Sequence, residues 1–206
     1  AGAEIAKQMH EYKSPFTLKK VCADRNTWLI GIGSALAFMA VMSYIASAIP
    51  TMIGYGYAQG FATGIFAVGG IMGIIGSFLF GVINQKMGTK KAFLIYFVCI
   101  IIGFIFTLLM PRGAVFCWLA GIIIFAAQGA LCNLLPSYVA TKYGRWDYPS
   151  GYRVIGTIFE IGAGIGVMMI GIFQNAAVMY TFDIVTLVIG FIFMIASSDK
   201  FIGKAG

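Results

Sequence analysis

Two carboxylates, Glu160 and Asp183, interrupt otherwise apolar stretches of this 206-residue sequence. At bilayer depth a carboxylate costs about 2.5–3.5 kcal/mol on insertion scales, so it faces protein or water and can hold a proton. Glu160 lies near the middle of its run, and Gly156 and Gly164 stand four residues to either side, on the same helical face. Such a face packs against a helix or opens on a cavity with room for a substrate or a proton. Two readings follow: a role in transport or proton coupling, or a buried, hydrogen-bonded structural acid. Asp183 sits about two turns, or ~10 Å, from the end of its run. There it can be an interfacial carboxylate and nothing more, with Arg112 on the same side as a partner in a structural ion pair.

Other polar groups inside or beside the runs need partners as well. Arg153 follows Asp147, Pro149 and Ser150 at the start of the Glu160 run. Asp147 or Ser150 suits a helix cap there and Pro149 a first turn. Arg153 then either attracts an anionic substrate at the mouth of a path or binds Asp147 or a lipid phosphate. Gln128, Asn133, Tyr152 and Tyr44 must find hydrogen bonds in an apolar setting. Cavity lining and helix-to-helix hydrogen bonding account for them equally well.

The elements that must position these groups are membrane helices. The sequence is 60% apolar and 10% charged, against roughly 45–50% apolar in a soluble domain. Six apolar runs, each near the ~20 residues that cross a hydrocarbon core, cover Thr27 to Ile53, Gly60 to Ile83, Ala92 to Met110, Ala114 to Leu135, Gly151 to Ile172 and Ala176 to Ala196. This predicts an all-α membrane protein organised as a cytoplasmic linker with an amphipathic segment (1–26), a six-helix transmembrane domain (27–197) and a cytoplasmic tail (198–206). In the linker, Ile5, Met9, Tyr12 and Phe16 recur at helical spacing among lysines, and Pro15 breaks the segment in two. In the second run Gly69, Gly73, Ser77 and Gly81 recur every fourth residue, a face of small side chains for close helix packing.

Charge reads as topology. All fourteen basic residues except Arg112 fall on one side of the six runs. The positive-inside rule then places both termini in the cytoplasm of a multi-pass protein of the cell membrane. The net charge of +7 sits between apolar runs, so it argues for no nucleic-acid partner. No metal-ligand cluster, catalytic triad, paired catalytic carboxylates or phosphate loop is present, which argues against an enzyme and against a cofactor. Cys22, Cys99, Cys117 and Cys132 lack metal or disulfide spacing and read as small buried hydrophobes. His10 reads as a solvated histidine.

The segment Gly81-Val-Ile-Asn-Gln85-Lys86-Met-Gly88-Thr-Lys90-Lys91 resembles the cytoplasmic loop signature of the major facilitator superfamily, which joins the second and third helices of each six-helix half. Gly81, Lys86, Gly88 and Lys90 match in type and spacing. Gln85 replaces the usual aspartate and can accept hydrogen bonds without carrying charge. The resemblance extends through Ala48-Ile49-Pro50 and the glycine-rich fifth run. It implies the C-terminal half of a twelve-helix fold, built of two inverted three-helix repeats and partnered by an N-terminal half, working by alternating access. Leu135-Pro136-Ser137-Tyr138 through Tyr143-Gly144-Arg145 to Tyr152 is similar to the monocarboxylate and oxalate–formate branch, although the second run lacks Arg and Lys.

On this resemblance the first, second, fourth and fifth runs line the cavity, Glu160 faces the path, and Asp183 is peripheral. The function implied is secondary active transport of a small solute, an organic anion moved with or against a proton. The alternatives are a self-contained six-helix channel and a non-transporting membrane scaffold, each forming homo-oligomers.

Overall fold

The computed structural model describes residues 12–203. Ile5, Met9 and His10, used above, lie outside the described residues. Within them the chain is helical with no strand. A short helix α1 (Leu18–Ala23) leads into α2 (Arg25–Gly54), α3 (Gln59–Met87) and α4 (Thr89–Leu108). A 3₁₀ turn at Met110–Arg112 precedes a helical stretch Ala114–Ile172, and α7 (Ala176–Ala196) follows. The last of these coincides with the sixth predicted run.

The helix ends follow local chemistry. Asp24 caps α2 by accepting from the Asn26 amide at 3.0 Å. Asn175 caps α7 by accepting from the amides of Ala177 and Val178. Gly88, at φ +85°, separates α3 from α4 in a conformation that a side chain disfavours.

Five helices among the described residues are long and apolar enough to cross a membrane. The longest, Ala114–Ile172, has 59 residues. Straight, it would extend about 90 Å, some three times a hydrocarbon core of ~30 Å. It is not straight. Gly144 leaves the helical region, with φ 69° and ψ 174°, and divides it into α5 (114–143) and α6 (145–172). Beyond the break the chain folds back, for a β-carbon on Gly151 would stand 2.5 Å from the Tyr143 ring. The connector expected between Leu135 and Gly151 is therefore helical on both sides of one glycine. Asp147 and Ser150 lie within α6 rather than ahead of it, so neither is its N-cap residue.

The helices run between two ends. At one end Thr27, Thr89, Lys90, Tyr138, Lys142 and Ser197 come together. Thr27 Oγ1 and the Tyr143 hydroxyl are 3.0 Å apart, as are Tyr138 and Ser197 at 2.8 Å. At the other end the Tyr57 hydroxyl donates to the Met110 carbonyl at 2.9 Å, and Tyr180 reaches Ser47 and Thr51. Every described basic residue except Arg112 belongs to the first end or its approach, called here the basic end.

Lipid tails are as apolar as leucine, so burial of oily surface does not hold such helices together. Close packing of small residues does. The α3 ridge packs on α5 as its spacing predicts. A β-carbon on Gly69 would strike the Phe125 ring, and one on Gly129 the Gly73 carbonyl. Gly76, outside the predicted row, abuts the Ala126 carbonyl, whereas Gly81 has open space. On α6 the packing pair is Gly162 and Gly166, which lie against the carbonyls of Ala35 and Met39 on α2. Gly33 and Gly190 bring α2 and α7 together: a β-carbon on Gly190 would be 2.9 Å from the Gly33 carbonyl oxygen.

Candidate functional site

Gly162 and Gly166 turn one face of α6 to α2, which leaves the opposite face outward. That face carries Tyr152, Arg153, Gly156, Thr157, Glu160 and Ile161, which line a cleft of about 590 Å³. Glu160 and Arg153 are exposed on the surface of the bundle. Neither side chain makes an ion pair or hydrogen bond among the described residues. The Asp147 alternative for Arg153 is thereby excluded, and so is a buried structural role for Glu160 within this bundle. Gly164 opens on free space as the spacing suggested, while Gly156 is covered by the Tyr152 ring. Tyr152 in turn stacks on Tyr148, with ring centroids 5.1 Å apart.

A second cleft, of about 760 Å³, lies between α3 and α5 and is lined by Ser77, Phe78, Gly81, Gln85, Cys132 and Asn133 among others. The Asn133 amide donates to Ser77 Oγ across it. Cys132 borders this cleft and lies within electrostatic reach of both Glu160 and Tyr152. The two clefts are therefore neighbours on one face formed by α3, α5 and α6. Cys132 is exposed and only Cys117 of the four cysteines is buried, so the expectation of uniformly buried cysteines is corrected.

Two predicted lining residues sit elsewhere. Tyr44 is fully buried among Phe66, Phe104, Phe125 and Tyr180, and its hydroxyl has no partner among the described residues. Gln128 keeps a buried Oε1 that is likewise without a partner there. Tyr44 belongs to the interior of the bundle, whereas Gln128 is half-buried with only its Oε1 shut off from solvent.

The loop residues also divide. Gly81 and Gln85 face the second cleft, Lys86 is exposed, and Gly88 makes the turn. Lys90 crosses to α7, where its ammonium donates to the carbonyls of Ile195 at 2.9 Å and Ser197 at 2.5 Å. These are carbonyls that a helix end leaves unsatisfied, at the negative pole of its dipole.

Asp183 departs furthest from expectation. It is 0% exposed and makes no ion pair with Arg112, which is exposed. Its Oδ2 accepts from the Ser43 hydroxyl of α2 at 2.8 Å, and its Oδ1 has no partner among the described residues. The peripheral, interfacial reading is thus wrong within this bundle.

A polar cluster at the basic end escaped sequence reading. Lys142, 1% exposed, donates to Asp24 Oδ2 at 2.6 Å. Buried Asp147 accepts from Ser14 at 2.5 Å and from Tyr12. The Ser198 amide donates to Asn26 Oδ1 and the Ile202 amide to the Lys142 carbonyl. Tyr12 and Ser14 on one side and Ile202 on the other are thus held at the α5–α6 turn. The only signal in the sequence was the set of polar residues at either side of Gly144, without an indication of their partners.

No curated protein matches the chain significantly. A family model described as Major Facilitator Superfamily matches residues 3–167. With its membrane-length apolar helices and its glycine-packed bundle, the chain belongs to the Major Facilitator Superfamily of membrane transporters and is an integral, multi-pass membrane protein.

Proposed function

We propose that this chain forms one six-helix half of a twelve-helix secondary transporter, with the Glu160 face bordering the solute path between halves. In this reading α2 to α4 and α5 to α7 are the two inverted repeats. The observation that carries it is Glu160, which stands outward, without a partner among the described residues, at the middle of a membrane-length helix. Lipid is a costly neighbour for that carboxyl, so a second half or a water-filled path covers it. Arg153, two turns nearer the basic end in the same cleft, supplies a cation for an anionic solute. The basic end faces the cytoplasm under the positive-inside rule.

A carboxyl that exchanges a proton and a guanidinium that attracts an anion together suit movement of a small organic anion coupled to a proton. The test is uptake of small carboxylates by liposomes containing the complete natural protein. Glu160→Gln is expected to abolish the dependence on a proton gradient. Unchanged proton dependence in that variant refutes the coupling role. Intact mass of the natural protein tests the half-transporter architecture: about twice the 22.2 kDa of this chain agrees with it, and 22.2 kDa contradicts it.

A further inference from the structure

Asp183 is set apart from the Glu160 cleft: it is absent from that cleft's lining and meets α2 directly through Ser43. Ser43 is its one hydrogen-bond donor among the described residues. No cation faces it from the helices packed against it. On α2 the one charged residue is Arg25, and on α4 Lys90 and Lys91, all at the basic end. Its own helix has no Lys or Arg, and the titratable groups nearby are the tyrosines Tyr180 of α7 and Tyr44 of α2. An ionised carboxylate with a single neutral donor, fully out of water, would carry a desolvation penalty that nothing here offsets. A neutral acid in the same place would not.

The surroundings also provide a route. Ser47 Oγ lies 2.9 Å from the Tyr180 hydroxyl, which donates to Thr51 Oγ1 at 3.3 Å. Ser47 and Thr51 both line a cleft of about 360 Å³ at the end of the bundle opposite the basic end, together with Tyr55 and Gln174. Ser47 also donates to the Ser43 carbonyl at 2.6 Å, and Ser43 holds the carboxyl. Hydroxyls on one face of α2, spaced four residues apart, thus mark the way from that cleft toward the buried acid; the Ser43 carbonyl only accepts, so the last step to the acid requires the Ser47 or Ser43 hydroxyl to turn.

We propose that Asp183 is a second proton-binding site of this protein, separate from Glu160, occupied when α2 and α7 are packed as here and loaded from the 360 Å³ cleft past Thr51, Tyr180 and Ser47. Deprotonation would place an unpaired charge between α2 and α7, so loss of the proton is linked to loosening of that contact at Gly33 and Gly190.

The test is infrared spectroscopy of the complete natural protein in lipid nanodiscs at neutral pH. The wild type is expected to show the carbonyl stretch of a protonated carboxylic acid, lost in Asp183→Asn and retained in Glu160→Gln. Ser43→Ala, which removes the one hydrogen bond, is expected to shift the band to higher frequency, and this holds as a test should Asp183→Asn fail to fold. On transfer to heavy water the deuterium shift of the band is expected to slow in Thr51→Val. A band absent from the wild type, or unmoved by both Asp183→Asn and Ser43→Ala, overturns the site. An unchanged exchange rate in Thr51→Val overturns the route. A band lost in Glu160→Gln alone would assign it to Glu160 and overturn the proposal while leaving the transport reading intact.

Discussion

Lys142 and Asp24, 118 residues apart in the chain, meet with Nζ 2.6 Å from Oδ2. The lysine is 1% exposed and the aspartate 27%. The pair joins the start of α2 to the end of α5 beside the break at Gly144, where the Tyr143 hydroxyl also meets Thr27. Removing Asp24 leaves the charge of buried Lys142 uncompensated, whereas an apolar residue in place of Lys142 leaves only a carboxylate that is 27% exposed and still reaches water. Asp24→Ala is therefore expected to cost about 3 kcal/mol, near the low end for a buried pair because the carboxylate is partly solvated. Lys142→Met should cost less. Thermal unfolding of the two variants in one detergent compares them directly.

The same pair predicts a pH dependence. Burial pushes the Asp24 carboxyl up, but the hydrogen bonds and charge of Lys142, with the Asn26 donors, outweigh it and hold the group below its ordinary value of 3.8. The folded value being the lower one, the stabilisation is complete above the ordinary value and lost as pH falls through the folded value. Acid titration of unfolding should show this loss below pH 3.8 in the wild type and a flatter acid limb in Asp24→Asn.

Gly76 and Gly81 should respond oppositely to alanine. The first abuts the Ala126 carbonyl, while a methyl added at the second would meet nothing within 4 Å. Gly76→Ala forces α3 from α5, an overpacking expected to cost about 1–3 kcal/mol or more. Gly81→Ala relieves a helical glycine and is expected to be neutral or stabilising by up to about 1 kcal/mol. Melting temperatures of both, measured side by side, decide.

Lys90 satisfies the last carbonyls of α7 from the start of α4. Lys90→Met removes a cation from a helix C-terminus and is expected to cost about 1 kcal/mol, with hydrogen exchange at 194–198 rising before exchange elsewhere in α7. Lys90→Arg should restore most of the protection. Uniform loss of protection along α7 would contradict a capping role.

Cys132 and Cys117 provide a readout of the open face, the first exposed and the second buried. In the complete natural protein, a water-soluble maleimide is expected to modify Cys132 whenever the path is open to that side, and to spare Cys117. Small carboxylates that occupy the path should slow the Cys132 reaction. Equal labelling of both cysteines would count against the assigned face.

The sequence by itself determined the class and the rhythm of the fold. Membrane-length apolar runs read directly from composition, and α7 begins and ends where its run does. The turn at Gly88 fell within the Gly81 to Lys91 loop segment that the family resemblance marked. Glu160 was legible as an intramembrane acid, but spacing left open whether its face packs on a helix or opens outward. Tertiary structure decided what depends on the rotation of one helix against another, which local spacing leaves open. Asp183 became a buried acid because the Gly33–Gly190 crossing sets α7 against Ser43. Gly162 and Gly166, on the helix face opposite Glu160, turned out to be the residues that aim the Glu160 face outward. The Asp24–Lys142 pair required the break at Gly144 to bring distant segments together, since an ion pair depends on distance in space and the chain records only distance along itself.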